Sequence, residues 1–270
     1  MINDLVKIPE FEATIRLYLY DFSEHMYMQE RPLVLVCPGG GYNHLSVREG
    51  ETMALQFMAM GYHAAILNYS LAPATYPTQF YEIGAAFKYL KEHASEYHII
   101  PEKIVVCGFS AGAHVAGMLG TCFNDSCLLS RLKVEKNYLR PAGQILAYPV
   151  LTSGEFAHRG SFECLLGEKC RDKDLLDRVS LENSVDKSTV PTFLWHTFCD
   201  GTVPLENSLL YAKALRKNNV PFEYHVFPSG GHGLGLANEM TVVDERFIEA
   251  DESAAQWIGL CKTWLKRLFE

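Results

Sequence analysis

The 270-residue sequence has no apolar run approaching the roughly 18 residues of a transmembrane helix, so nothing in it reads as a membrane span. It also lacks clusters of Lys and Arg interleaved with aromatics, and with a formal net charge of −8 it has no basic field for nucleic acid. Its eight cysteines (Cys37, Cys107, Cys122, Cys127, Cys164, Cys170, Cys199, Cys261) include no C-x-x-C pair. Several lie inside apolar stretches, which predicts buried thiols in a reducing compartment; Cys164 and Cys170, with polar neighbours, stand out as the exception. There is no H-E-x-x-H and no pair of histidines at ligand spacing, so neither a metal nor a cofactor is expected. Met1-Ile2-Asn3-Asp4-Leu5 carries neither the basic nor the apolar region of a secretion signal, and a cytoplasmic protein is the expectation. Internal repeats and low-complexity linkers are missing too.

What is present is a chain 48% hydrophobic and 21% charged, enough for one large α/β domain over residues 1–270 and short for two. Phe11 to Tyr20 alternates Ile15, Leu17 and Leu19 against Arg16, Tyr18 and Tyr20, the period of a half-exposed strand near a sheet edge, antiparallel to the next strand in the chain. Leu33 to Cys37 is a continuous apolar run of the kind covered on both faces. Helical spacing over 49–60 and 78–93 alternates with strands at 63–67 and from Ile104, then with 144–150, 191–196 and 221–227. That alternation predicts a mostly parallel sheet wrapped by helices. Residues 151–190 break the pattern and read as a short flap in place of a cap domain, and a last helix is expected from about Glu245 to Leu268, with Phe247 and Trp257 on its apolar face.

Chemistry concentrates around Ser110. Val105-Val106-Cys107 ends a buried strand, an Ala-rich helix starts at Ala111, and between them stands Gly108-x-Ser110-x-Gly112. In a strand-turn-helix context this is a nucleophile elbow, a turn so tight that its flanks must be glycine, with a helix N-terminus aimed at developing negative charge. Gly39-Gly40-Gly41 follows another buried strand and lacks the Lys-Ser/Thr of a phosphate loop, so Gly40 and Gly41, with Ala111, are the candidate oxyanion donors. A serine nucleophile needs a base and a carboxylate that orients it. Asp200 and His232 lie on loops after two successive late strands, in the chain order Ser, Asp, His. Asp186 and Glu206 are the rival acids; His158, in the flap, is open, and His196 is expected to bond loop backbone. Tyr42, His44, Tyr69 and His114 are the candidate substrate-binding residues.

Pro38-Gly-Gly-Gly-Tyr42, Asn68-Tyr-Ser-Leu-Ala-Pro73, Gly108-Phe-Ser-Ala-Gly112, Asp200-Gly-Thr-Val-Pro204 and Gly231-His-Gly233 occur in that order. As a set they resemble the α/β-hydrolases of the small bacterial acetyl esterase and acetylxylan-esterase-like group, related to the hormone-sensitive-lipase-like esterases, and the likeness covers nearly the whole chain. The resemblance implies an α/β-hydrolase fold and a serine carboxylesterase acting on short-chain acyl esters, with O-acetyl groups of sugars as the expected substrate. The chain departs from the lipase-like branch: Pro38 stands where those enzymes carry His, and Asn68-Tyr69-Ser70 replaces their acidic-Tyr-Arg. The departures favour a small ester of a sugar over a bulky acyl chain. The competing expectations are an amide or peptide hydrolase on the same fold, such as an arylformamidase, and a non-catalytic binding protein. A monomer and a homodimer are both compatible with the sequence.

Overall fold

A strand that is apolar on both sides must be covered on both sides, and the apolar runs of this chain are. A computed structural model describes residues 1–242 and 250–270. Among them are eight strands: β1 (Ile2–Lys7), β2 (Thr14–Leu19), β3 (Arg31–Cys37), β4 (His63–Asn68), β5 (Ile99–Phe109), β6 (Gly143–Ala147), β7 (Thr192–Thr197) and β8 (Phe222–Phe227). They form one sheet in the order β1-β2-β4-β3-β5-β6-β7-β8. The last six in that order are parallel, while β1 and β2 run antiparallel to each other and β2 antiparallel to β4.

The described helices are α1 (Glu51–Ala59), α2 (Thr78–Glu92), α3 (Ala111–Cys122), α4 (Ser126–Leu132), α5 (Arg159–Leu166), α6 (Lys173–Val179), α7 (Leu181–Ser184), α8 (Glu206–Lys217) and α9 (Trp257–Phe269). Alternate residues of the parallel strands feed two apolar layers. Leu33, Leu35, Val106 and Leu194 pack with α2, α3 and α8 on one face. Val34, Val36, Val105 and Phe193 pack with α1 and α9 on the other. Each such fully buried side chain contributes about 1.5–3 kcal/mol relative to exposure, which is why the parallel strands are legible as unbroken Val/Leu runs. No described helix is long and apolar enough to cross a membrane.

Several boundaries differ from the sequence-based expectation. The edge strand is β1, largely exposed, and β2 lies one strand in, which buries Tyr18 as well as Ile15 and Leu17. β6 stops at Ala147 because Tyr148 takes a φ of 35° and turns the chain out of the sheet. The flap is not irregular: it folds into α5, α6 and α7, with Asp172 capping α6 by accepting from two backbone N–H groups. The last helix begins at Trp257 after a short 3-10 turn, so 250–253 are outside it, and the expected start at Glu245 with Phe247 lies outside the described residues. All eight cysteines are free; the exposed ones are Cys127 and Cys199, while Cys164 and Cys170 are half-buried.

The elbow between β5 and α3 is fixed by close approach. A Cβ on Gly108 would lie 2.2 Å from the Gly112 carbonyl oxygen, and one on Gly112 would lie 2.1 Å from that of Cys37. Ser110 itself sits at φ 52°, ψ −121°, a conformation that costs a non-glycine residue about 1–3 kcal/mol and persists only when its surroundings enforce it. They do so through the Ser110 N–H donating to the Ala147 carbonyl (3.0 Å) and the Val150 N–H donating to that of Ser110 (3.1 Å). Because the atoms met at Gly112 are backbone, Gly112→Ala is expected to destabilise the protein by about 3 kcal/mol or more, measured as the urea midpoint. An unchanged midpoint would mean that α3 can move away from β3 freely.

Candidate active site

Crossovers that return every parallel strand in the same direction bring the loops after β3, β5, β6, β7 and β8 to one edge of the sheet. Ser110, Asp200 and His232 meet there. The His232 Nε2 is 2.7 Å from the Ser110 Oγ, and its Nδ1 is 2.7 Å from the Asp200 Oδ2. A carboxylate only accepts, so Nδ1 carries the proton and Nε2 accepts from the serine hydroxyl. That is the tautomer in which an imidazole can take a proton from serine.

Asp200 is completely surrounded by donors. Its Oδ1 accepts the N–H groups of Thr202 and Val203, both at 2.9 Å, and its Oδ2 accepts His232 and the Nε2–H of His196 at 3.2 Å. Burial opposes its ionisation, but the hydrogen bonds from His196, His232 and Val203 outweigh burial and hold the carboxyl well below the ordinary carboxylate range. The His196 Nε2–H is shared with the Val203 carbonyl (3.0 Å), as expected, and its Nδ1 accepts from the Ser208 hydroxyl (2.7 Å). Asp186 and Glu206, the rival acids, have no contact with His232 among the described hydrogen bonds.

The glycine loop takes left-handed backbone at Gly40 (φ 122°) and Gly41 (φ 63°), and a Cβ on Gly40 would fall 2.1 Å from the His44 carbonyl oxygen. Among the described residues the N–H groups of Gly40, Gly41 and Ala111 have no acceptor, while Gly39 is held by its N–H donating to the Glu49 Oε2 (2.8 Å). A cavity of about 480 Å³ opens at this point, lined by Gly40, Gly41, His44, Ser110 and His232, with His158 facing them from the start of α5. Burial and the neighbouring His232 both lower the His158 pKa, and its Nδ1 is 2.8 Å from the Ser161 Oγ.

Three of the four expected substrate-binding residues are elsewhere. Tyr42 carries the left-handed turn one residue beyond the glycines (φ 63°), and its ring is buried beneath the loop. Its hydroxyl meets the His114 Nδ1 at 2.6 Å, and the His114 Nε2 is 2.7 Å from the Val179 carbonyl, so the proton sits on Nε2 and Tyr42 donates. Tyr69 is buried and donates to the Pro38 carbonyl (2.6 Å). Tyr42, Tyr69 and His114 therefore brace the loop from within and do not line the cavity; only His44 does.

Glu49 and Tyr148 were not anticipated. Glu49 is 2% exposed, and besides Gly39 it accepts the Tyr148 hydroxyl at its Oε1 (2.7 Å). The same hydroxyl accepts the Gly235 N–H (2.9 Å), and the Tyr148 ring lies edge-on to His232 with centroids 5.1 Å apart. A buried strut thus joins the glycine loop to the histidine loop. Nothing in the sequence marks it, because Glu49 reads there as an ordinary acidic helix start.

The family model of BD-FAE matches residues 21–215, well over half of the sequence. The chain belongs to the BD-FAE family. Endo-1,4-beta-xylanase B of Butyrivibrio fibrisolvens is 39% identical over 221 residues, 78% of this chain and 33% of that protein. Acetylxylan esterase of Xylanibacter ruminicola is 28% identical over 78% of this chain and 43% of its own length. The BD-FAE chain therefore spans between a third and a half of these curated relatives. The crystal structure of an acetyl ester-xyloside bifunctional hydrolase from Caldicellulosiruptor lactoaceticus superposes with a TM-score of 0.84 at 35% identity, covering 99% of this chain and 97% of that one. The fold is that of the α/β-hydrolases.

Two outcomes are expected of this network. Burial pushes the His114 pKa down to about 4, whereas the unfolded chain takes up that proton near the ordinary value of about 6.5. Stability is then fully present above 6.5 and is lost as the pH falls from there towards 4, by about 3 kcal/mol; His63, also held down to about 4 by burial, adds in the same window. Urea unfolding at several pH values should show this slope, and His114→Gln should reduce it to the part that His63 supplies. Tyr148→Phe deletes the strut's hydroxyl without changing shape, leaving buried partners unsatisfied, and should cost about 1–3 kcal/mol in the same assay.

Proposed function

We propose that this chain is a serine carboxylesterase that removes short acyl groups, O-acetyl groups of sugars foremost, with Ser110 as nucleophile, His232 as general base and acid, and Asp200 as the carboxylate that orients it. The observation that carries the reading is the continuous pair of 2.7 Å contacts from Ser110 through His232 to Asp200, beside the Gly40, Gly41 and Ala111 N–H groups, which have no acceptor among the described residues. His232 takes the Ser110 proton as Oγ attacks the ester carbonyl. The oxygen that becomes negative is met by the N–H groups of Gly40, Gly41 and Ala111, supported by the N-terminus of α3. The proton held on Nε2 then passes to the departing alcohol oxygen. Water, deprotonated by the same nitrogen, releases the acid from the acyl-enzyme and restores the serine. The His196 N–H on Asp200 shares the work of keeping that carboxylate ionised, so that the imidazolium has a charged partner.

A sugar alcohol is supported by His44, Asn43, Arg48, His158 and Thr202, which bring hydrogen-bonding groups to the cavity. A long acyl chain would have to bury each methylene, at about 0.8 kcal/mol apiece, against a broad apolar lid. Solubility without a membrane partner and independence of any cofactor belong to the same reading.

Ser110→Ala is expected to abolish both acetate release and labelling by a fluorophosphonate, with an unchanged circular dichroism spectrum; labelling at another serine would overturn the assignment. Asp200→Asn should lower kcat by up to about 10⁴ by favouring the wrong tautomer, and a loss below about tenfold would remove Asp200 from its role. Across p-nitrophenyl esters, kcat/KM should peak between acetate and butyrate and fall steeply beyond hexanoate. Octanoate as best substrate would refute the short-acyl reading.

A further inference from the structure

The cavity at Ser110 is not the larger one. A second, of about 980 Å³, lies on the other side of α5, between that helix, the loop after β4 and α6. Its volume is at the upper end of the roughly 300–1,000 Å³ of small-molecule sites. The two adjoin at α5, where the half-buried Cys164 lines both.

The larger cavity's chemistry restricts its occupant. Its floor is aromatic: the half-buried rings of Tyr76 and Tyr81 line it, and the buried Phe80 ring lies parallel to Tyr76 (10° between planes, centroids 6.4 Å apart) and backs it. Its rim is charged in both signs. Arg178 is already engaged, donating to the Asp125 Oδ2 (2.8 Å) and the Tyr76 hydroxyl (3.0 Å), so no cluster of free cations is offered to an anion. Glu163 and Lys169 have no partner among the described hydrogen bonds. An occupant of this cavity must therefore cover aromatic rings and also give Glu163 and Lys169 a polar partner. A sugar meets both demands at once, with a flat C–H face for the rings and hydroxyls around its edge for the rim.

We propose that the 980 Å³ cavity is a subsite for the oligosaccharide that carries the ester, the acylated sugar sitting at Ser110 and the neighbouring sugars passing Cys164 onto the Tyr76 and Tyr81 rings. The proposal rests on the esterase reading above and adds where the rest of the substrate goes.

The test uses Thr75→Trp, which places an indole in the cavity, and Tyr81→Ala, which removes part of its wall. Wild-type kcat/KM should rise about tenfold or more from acetylated xylose to acetylated xylo-oligosaccharides, mainly through KM. Both variants should lose that gain while p-nitrophenyl acetate turnover, which also reports on folding, stays within about twofold. Unacetylated xylohexaose should bind Ser110→Ala protein by calorimetry and bind the Ser110→Ala, Thr75→Trp double variant about tenfold more weakly. The proposal is overturned by a flat length dependence in the wild type, by variants that keep the full gain, or by variants that lose p-nitrophenyl acetate turnover equally. It is also overturned by variants that instead lose turnover of p-nitrophenyl hexanoate, which would make the cavity an acyl site. Failure of the esterase reading looks different: the wild type would leave p-nitrophenyl acetate intact, whereas oligosaccharide binding is read without turnover.

Discussion

The arrangement at the sheet edge depends on one carboxylate. Asp200 collects four donors in a site from which water is excluded, two from its own loop backbone and two from imidazoles. Each donor fixes something different: the Thr202 and Val203 amides set the turn into α8, His196 ties that turn back to its strand and to Ser208, and His232 is aimed at Ser110. Hydrogen bonds to an ionised buried group are worth more than neutral ones, and leaving such a charge under-satisfied is correspondingly costly. The loop is therefore rigid because the charge requires it, and the imidazole inherits that rigidity.

What was legible in the sequence was whatever the backbone itself dictates. Gly108, Gly112 and Gly40 stand where a Cβ would strike main-chain atoms about 2.1–2.2 Å away, so residue type and local geometry imply one another. The same holds for the Val/Leu strands, whose two covered faces leave no polar positions. Side-chain direction is a different matter. Tyr42, Tyr69 and His114 are close to Ser110 in the chain or in its loops, and spacing gave them to the site, but each points under the loop to a partner more than 30 residues away. Glu49 and Tyr148, separated by 99 residues, were invisible for the same reason: a pairwise buried bond leaves no periodicity. The flap was hard to read because α5, α6 and α7 are short helices with mixed faces.

Around the reacting atoms, position is assigned to strand ends and glycine turns, whereas the surroundings that would choose a substrate are assigned to α5 and the loops after β3 and β4. His158 illustrates the division. It belongs to the flap yet looks onto His232, so a segment outside the sheet contributes to the electrostatics of the base while Ser110, Asp200 and His232 are all held by the sheet. Changes in the flap can alter recognition with little effect on where those three residues stand.

The strut from Gly39 through Glu49 and Tyr148 to Gly235 connects loops whose parent strands, β3 and β8, are four places apart in the sheet. Two groups with opposite tasks, one set meeting negative charge and the other moving a proton, are thus clamped to a shared internal brace. Local opening of one loop must break bonds that also hold the other, so the two are released together as one cooperative unit. Thermal motion then leaves the site either assembled or wholly undone, with few half-built forms in which the serine is activated and nothing waits for the charge it creates.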